Sequence, residues 1–151
     1  MRLIHSLQSR RDREEGFTLI ELMVVVLIIA ILIAIAIPTF LGARERAQDS
    51  AAKSDLRNAL AAAKVFYTDT EDYSAVTAAD LEDIEPSLEY VAGAGTTTEV
   101  GFDAPSETTI YLERESKSGK MFCVAEDLDE GTTYGSEADC DGSIPLPNDS
   151  W

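Results

Sequence analysis

Residues 16–40 read GFTLIELMVVVLIIAILIAIAIPTF, from Gly16 to Phe40, and this stretch decides the fold. Leu22 to Ile37 is an unbroken run of sixteen apolar residues. With Phe17 to Ile20 ahead and Phe40 behind, the segment reaches roughly the 20 residues a helix needs to cross a bilayer, so a membrane anchor is expected. One carboxylate, Glu21, sits inside it. A charge costs about 2.5–3.5 kcal/mol at the centre of an inserted helix and less near an end, so its presence calls for a reason.

Preceded by a short basic segment and followed by the apolar run, Gly16-Phe17-Thr18-Leu19-Ile20-Glu21-Leu22-Met23 resembles the N-terminal signature of bacterial type IV pilins and their relatives, the type II secretion pseudopilins. The likeness covers the N-terminal third of the chain. It implies a prepilin with a class III signal peptide, cut on the cytoplasmic side by a membrane-embedded prepilin peptidase. The cut would fall between Gly16 and Phe17, and Phe17 would then be N-methylated. The resemblance further implies a homo-oligomeric helical filament, raised from the membrane by an assembly machinery. There the amine of Phe17 in one subunit needs a partner in an apolar bundle, and a neighbour's Glu21 supplies it. A paired charge is tolerated where an isolated one is not, and the pairing fixes the axial step between neighbours. Pro38 sits where the family often carries proline; it interrupts helical hydrogen bonding, so a bend or local loosening is expected between Ala34 and Pro38. Ala30 stands where many members carry glycine, eight residues earlier.

The 151 residues leave room for one modest domain besides the anchor. Arg2, Arg10, Arg11 and Arg13 precede the apolar run, whereas Tyr67 to Trp151 holds 21 acidic residues against Arg114, Lys117 and Lys120. By the positive-inside rule the leader lies in the cytoplasm and the C-terminus outside. The chain divides into a removable leader at 1–16, a transmembrane and filament-core helix at 17–40, an amphipathic continuation at 41–68 and an acidic globular head at 69–151. Two other readings of the N-terminus exist. Ala34-Ile35-Ala36 has the small residues of a secretory cleavage site, and the segment would also serve as a plain single-pass anchor.

Beyond Thr39 the composition turns to alanine with scattered charge. Phe40, Ala43, Ala47, Ala51, Leu56, Leu60, Ala63 and Tyr67 make one helical stripe. Its upper part, from Leu56, is expected to pack on the head and its lower part on other subunits. Asp49 and Lys53 are spaced as an acid-then-base pair. Thr77-Ala78-Ala79-Asp80 reads as a capping box opening a helix to about Ile84, ended by Pro86. Gly93-Ala94-Gly95 breaks the pattern. Thr98–Asp103, Thr108–Glu115 and Lys120–Glu126 then alternate as strands, with Ser116-Lys117-Ser118-Gly119 as a hairpin turn. Ile110, Leu112, Met121, Cys123 and Ala125 are expected toward the helix, and Tyr111, Phe122 and Val124 on the opposite face. The fold class is α+β: a long N-terminal helix packed on a small antiparallel sheet, the pilin-like head that the resemblance also implies.

Cys123 and Cys140, an even number in an exported domain with a small core, are expected to form a disulfide. The loop between them is rich in carboxylates. Asp127, Asp129, Asp139 and Asp141 offer oxygen ligands for calcium, but their spacing fits no EF-hand and a solvated acidic surface accounts for them, so neither a metal nor any cofactor is assigned. The only histidine, His5, falls in the leader, and no phosphate loop is present, so no catalytic residue is assigned. The acidic head opposes direct contact with nucleic acid. The expectation is a non-enzymatic pilus subunit, lodged in the cytoplasmic membrane before assembly and at the cell surface after it. A pseudopilin of a type II secretion system and an anchored or secreted domain that never polymerises are the alternatives.

Overall fold

The computed structural model describes residues 16–142, 145–148, 150 and 151. The leader reading for residues 1–15, including its arginines and His5, lies outside the described residues. Helix α1, Leu19–Thr70, contributes to both of the units into which the chain divides between Leu41 and Gly42.

In the first unit every residue from Gly16 to Leu41 is exposed. The most apolar window of α1 has a mean hydropathy of 3.3, long and apolar enough to cross a membrane. Ala34 to Pro38 is α-helical throughout. Pro38 has no amide to offer the carbonyl one turn back, and the Thr39 hydroxyl donates to the Ile35 carbonyl at 3.0 Å.

The second unit lays the upper part of α1 and a short helix α2, Ala78–Ile84, against a five-stranded sheet. The strands are β1 Glu89–Ala92, β2 Glu99–Ser106, β3 Thr109–Glu115, β4 Met121–Asp127 and β5 Gly131–Ser136, in that spatial order. A 3-10 turn, Glu137–Asp139, follows. Both bonds of the Thr77–Asp80 capping box are made. The sheet is mixed, not purely antiparallel: β1 runs parallel to β2, while the other pairs are antiparallel. A parallel neighbour normally needs a long crossover; here the link from Gly93 to Thr98 suffices, because glycine lets backbone lie on backbone. A Cβ on Gly95 would come within 2.2 Å of the Glu113 carbonyl oxygen, and one on Gly101 within 2.2 Å of the Gly95 nitrogen. The Glu113 carboxylate holds this link, accepting the Gly95 amide at 3.0 Å and the Tyr111 hydroxyl at 3.0 Å. Burial and the adjacent Glu113 push the Tyr111 phenol well above its ordinary pKa.

Leu56, Leu60, Ala63 and Phe66 of α1 pack with Val100, Ile110, Leu112, Phe122 and Val124. Phe40, Ala43, Ala47 and Ala51 are exposed instead, and the buried face begins at Asp49 and Ala52. The expected faces of β4 are reversed. Leu112 lies opposite Val124, and Arg114 opposite Phe122; residues opposite each other in an antiparallel pair share a face. With Leu112 against α1, Phe122 and Val124 must face α1 as well. Cys123 and Ala125 therefore join Tyr111 and Leu146 in a smaller cluster on the other side.

Candidate functional site

Gly16 to Thr18 lie ahead of α1, outside any helix or strand, and Phe17 is 84% exposed. A Cβ on Gly16 would meet nothing within 4 Å. Among the described residues, nothing packs closely enough on this position to require glycine.

Thr18 caps α1. Its amide and hydroxyl both donate to Glu21 Oε2, at 2.9 and 2.7 Å, and the Glu21 amide donates to Thr18 Oγ1 at 3.2 Å. This reciprocal capping box satisfies amides that the first turn of a helix otherwise leaves bare. It also gives the Glu21 carboxylate hydrogen-bond donors within its own chain. The sequence reading assigned Glu21 only to an intermolecular partner and missed this one, although Thr18-Leu19-Ile20-Glu21 before an apolar run is a capping-box pattern. Pro38 lies five turns of helix further along α1, remote from this group.

The assigned residues of the head stand apart from these, in the second unit. Cys123 on β4 and Cys140, which follows the 3-10 turn, are joined, with Cα atoms 5.6 Å apart. Asp127 closes the turn between β4 and β5. Its Oδ1 accepts the amides of Asp129 and Glu130 at 2.9 and 3.3 Å, and Oδ2 accepts the Thr109 hydroxyl at 3.0 Å. The Asp129 amide, the Thr109 hydroxyl and the Glu130 amide hold this carboxyl below its ordinary pKa. Asp139 belongs to the 3-10 turn and Asp141 follows Cys140. Among the described residues no group of three or more histidine, cysteine or carboxylate side chains is arranged to hold a metal ion.

A second polar group ties the β3–β4 hairpin to α1. The buried Asp49 carboxylate accepts the Ser116 hydroxyl at 2.9 Å, the Ser118 hydroxyl, and the Lys120 ammonium at 3.2 Å. Burial opposes its ionisation, but these donors outweigh it and hold the carboxyl below its ordinary pKa. Asp49 thus spends its charge on the hairpin, not on Lys53, whose ammonium lies 4.8 Å from the centre of the Phe122 ring. Lys64 pairs with Glu126 at 2.9 Å and Arg114 with Asp55 at 3.3 Å.

Residues 11–37 match the family model described as the prokaryotic N-terminal methylation motif. The chain is 50% identical over 62 residues to the type IV major pilin protein PilA of Myxococcus xanthus, covering 41% of this chain and 28% of that protein. It is 43% identical over 65 residues to the type IV wide pilus major component PilA4 of Thermus thermophilus, covering 43% of this chain and 50% of that protein. It is 42% identical over 52 residues to the type II secretion system core protein G of Escherichia coli, covering 32% of this chain and 36% of that protein. The matches span half or less of the length of these relatives. No solved structure matches the chain. An exposed apolar helix opened by a Thr18–Glu21 box coincides with the methylation motif, and the N-terminal segment of this chain is similar to the same part of type IV pilins and of the type II secretion system core protein G.

Proposed function

We propose that the chain is a structural, non-enzymatic subunit of a type IV pilus. The observation that carries this reading is the fully exposed apolar stretch from Gly16 to Leu41 with its single carboxylate, Glu21, matched to pilin relatives. Such a surface needs lipid before assembly and other copies of itself after it. The exchange is nearly neutral in energy, because both environments are apolar. Prepilin peptidase cuts between Gly16 and Phe17, and the amine of Phe17 is methylated. Glu21 then meets the Phe17 amine of a neighbouring copy, and Pro38 marks where the helix adjusts to packing. The subunit waits as a single-pass protein of the cytoplasmic membrane, leader inside and head outside, and the assembly machinery draws it into a homo-oligomeric filament at the cell surface. The Cys123–Cys140 bond suits that oxidising location.

A second reading, a type II secretion pseudopilin, is favoured by the relatives named type II secretion system core protein G. Intact mass of sheared surface material, with and without reduction, separates the two. A species running from Phe17 to Trp151 plus one methyl, and two hydrogens lighter before reduction, is expected in filaments. The same species confined to the cell envelope would favour the pseudopilin, and a species beginning at Ile37 would overturn both.

A further inference from the structure

Positive charge is confined to two segments of the second unit. Between Val65 and Glu113 there are twelve acidic residues, and between Met121 and Trp151 eight, with no lysine or arginine in either stretch. The cations lie on α1 from Arg44 to Lys64 and on the β3–β4 hairpin from Arg114 to Lys120. Copies of so acidic a head repel one another, so attraction between heads has to pass through these cations.

The hairpin and the lower turns of α1 enclose a groove of about 420 Å³. Ala47, Ala51 and Ala52 form its apolar floor, and Arg44, Arg114 and Lys117 stand around it. Two acids also line it, Asp55 and Glu115, and Asp55 is engaged by Arg114 Nε at 3.3 Å. Arg114 is pinned through its other side as well, donating from Nη2 to the Thr97 carbonyl at 3.3 Å, while its buried Nη1 has no hydrogen-bond partner. The exposed Arg44 and Lys117 side chains beside an alanine floor suit an apolar knob flanked by carboxylates.

The second unit carries such a knob at its other end. In the β4–β5 turn Leu128, 45% exposed, is followed by the exposed Asp129 and Glu130. The turn is fixed by Asp127 and by the Leu128 amide, which donates to the Thr108 carbonyl at 3.2 Å. It stands level with Lys64, through the Lys64–Glu126 pair, and the groove stands level with Asp49. At 1.5 Å per residue these levels are about 22 Å apart along α1. Two different, complementary patches at opposite ends of one body make a heterologous contact, which propagates into an open filament instead of closing a dimer.

We propose that the Leu128–Asp129–Glu130 turn of one copy docks in the Ala47/Ala51 groove of a second copy, with its carboxylates against the exposed Lys117 and Arg44. The contact rests on the filament reading above and adds a head-to-head join to the helical bundle. To test it, the full chain carrying Ala51→Cys and Leu128→Cys together is expressed in filament-forming cells beside both single variants. Sheared filaments are oxidised mildly and run without reductant. Within one copy the two positions are too far apart to bond, so any new disulfide joins copies. The double variant is expected to give a ladder of multimers and each single variant none. Lys117→Glu in the double background is expected to lower the cross-linked fraction about tenfold, and adding Glu130→Lys to restore it. Filaments whose double-cysteine subunits stay monomeric would overturn the contact and leave the filament reading intact. Absence of filaments from the unsubstituted chain would overturn both.

Discussion

Cys123 on β4 and Gly135 on β5 lie directly opposite each other, and a Cβ on Gly135 would come within 2.8 Å of the Cys123 sulfur. The same Cβ would stand 3.0 Å from Cβ of Asp139 and 3.3 Å from Leu146. Gly135→Ala is therefore expected to cost about 1–3 kcal/mol, as overpacking does, read as a lower urea midpoint. In a Cys123→Ala, Cys140→Ala background the cost should shrink, since the crowded sulfur is gone; an unchanged cost would place the strain elsewhere. Removing the disulfide by itself should cost about 2–4 kcal/mol.

Asp49→Ala removes the acceptor of two serine hydroxyls and an ammonium, and about 1–3 kcal/mol of stability should go with it. The folded carboxyl titrates below its ordinary value. Its contribution is thus complete above the unfolded pKa of about 3.9 and is lost as pH falls through the depressed folded value. Thermal melts from pH 7 to pH 2 should show the parent chain losing its advantage over Asp49→Asn only in the acid range.

Thr77→Ala removes the hydroxyl half of the α2 capping box, which accepts the Asp80 amide, and leaves the backbone amide of position 77 its bond to the Asp80 carboxylate. A loss of about 1 kcal/mol is expected, measured by denaturant titration, with β-sheet circular dichroism unchanged before the transition.

How much of this was legible in the sequence depended on periodicity. α1, α2 and the β3–β4 hairpin announced themselves through an apolar run, a capping box and alternating strands around a Ser-Lys-Ser-Gly turn. β1 is four residues long and β5 reads Gly-Thr-Thr-Tyr-Gly-Ser, too short or too polar to carry a period. The reversed faces of β4 came from a register that the hairpin turn alone left open, and one residue of slip exchanges every side chain. Asp49 was misread because helical spacing pointed to Lys53, while its actual partners lie 67 to 71 residues away in sequence. Of the candidate site, the methylation motif over residues 11–37 and the cysteine pair were legible. The Thr18 bonds to Glu21 were also within reach of the sequence, as a capping box.

Glu21→Gln keeps the shape of the side chain and removes the charge. Membrane insertion is expected to persist, because the change lowers the cost of burial, whereas filaments should disappear from sheared fractions. Normal filaments from this variant would remove Glu21 from assembly. Thr18→Ala, which removes the capping hydroxyl alone, should weaken the start of α1 by about 1 kcal/mol and leave the carboxylate in place.

The chain has one tryptophan, and it sits where the head closes. Trp151 donates its indole N–H to the Gly135 carbonyl at 2.9 Å, meets Tyr134 and Phe122 edge-on, and lies under the Arg57 guanidinium. The indole touches α1, β4 and β5 at once, so its emission spectrum is a native optical gauge of whether helix and sheet are docked. Unfolding, or a shift of α1 against the sheet, would each be seen as a colour change at a single residue, without any label.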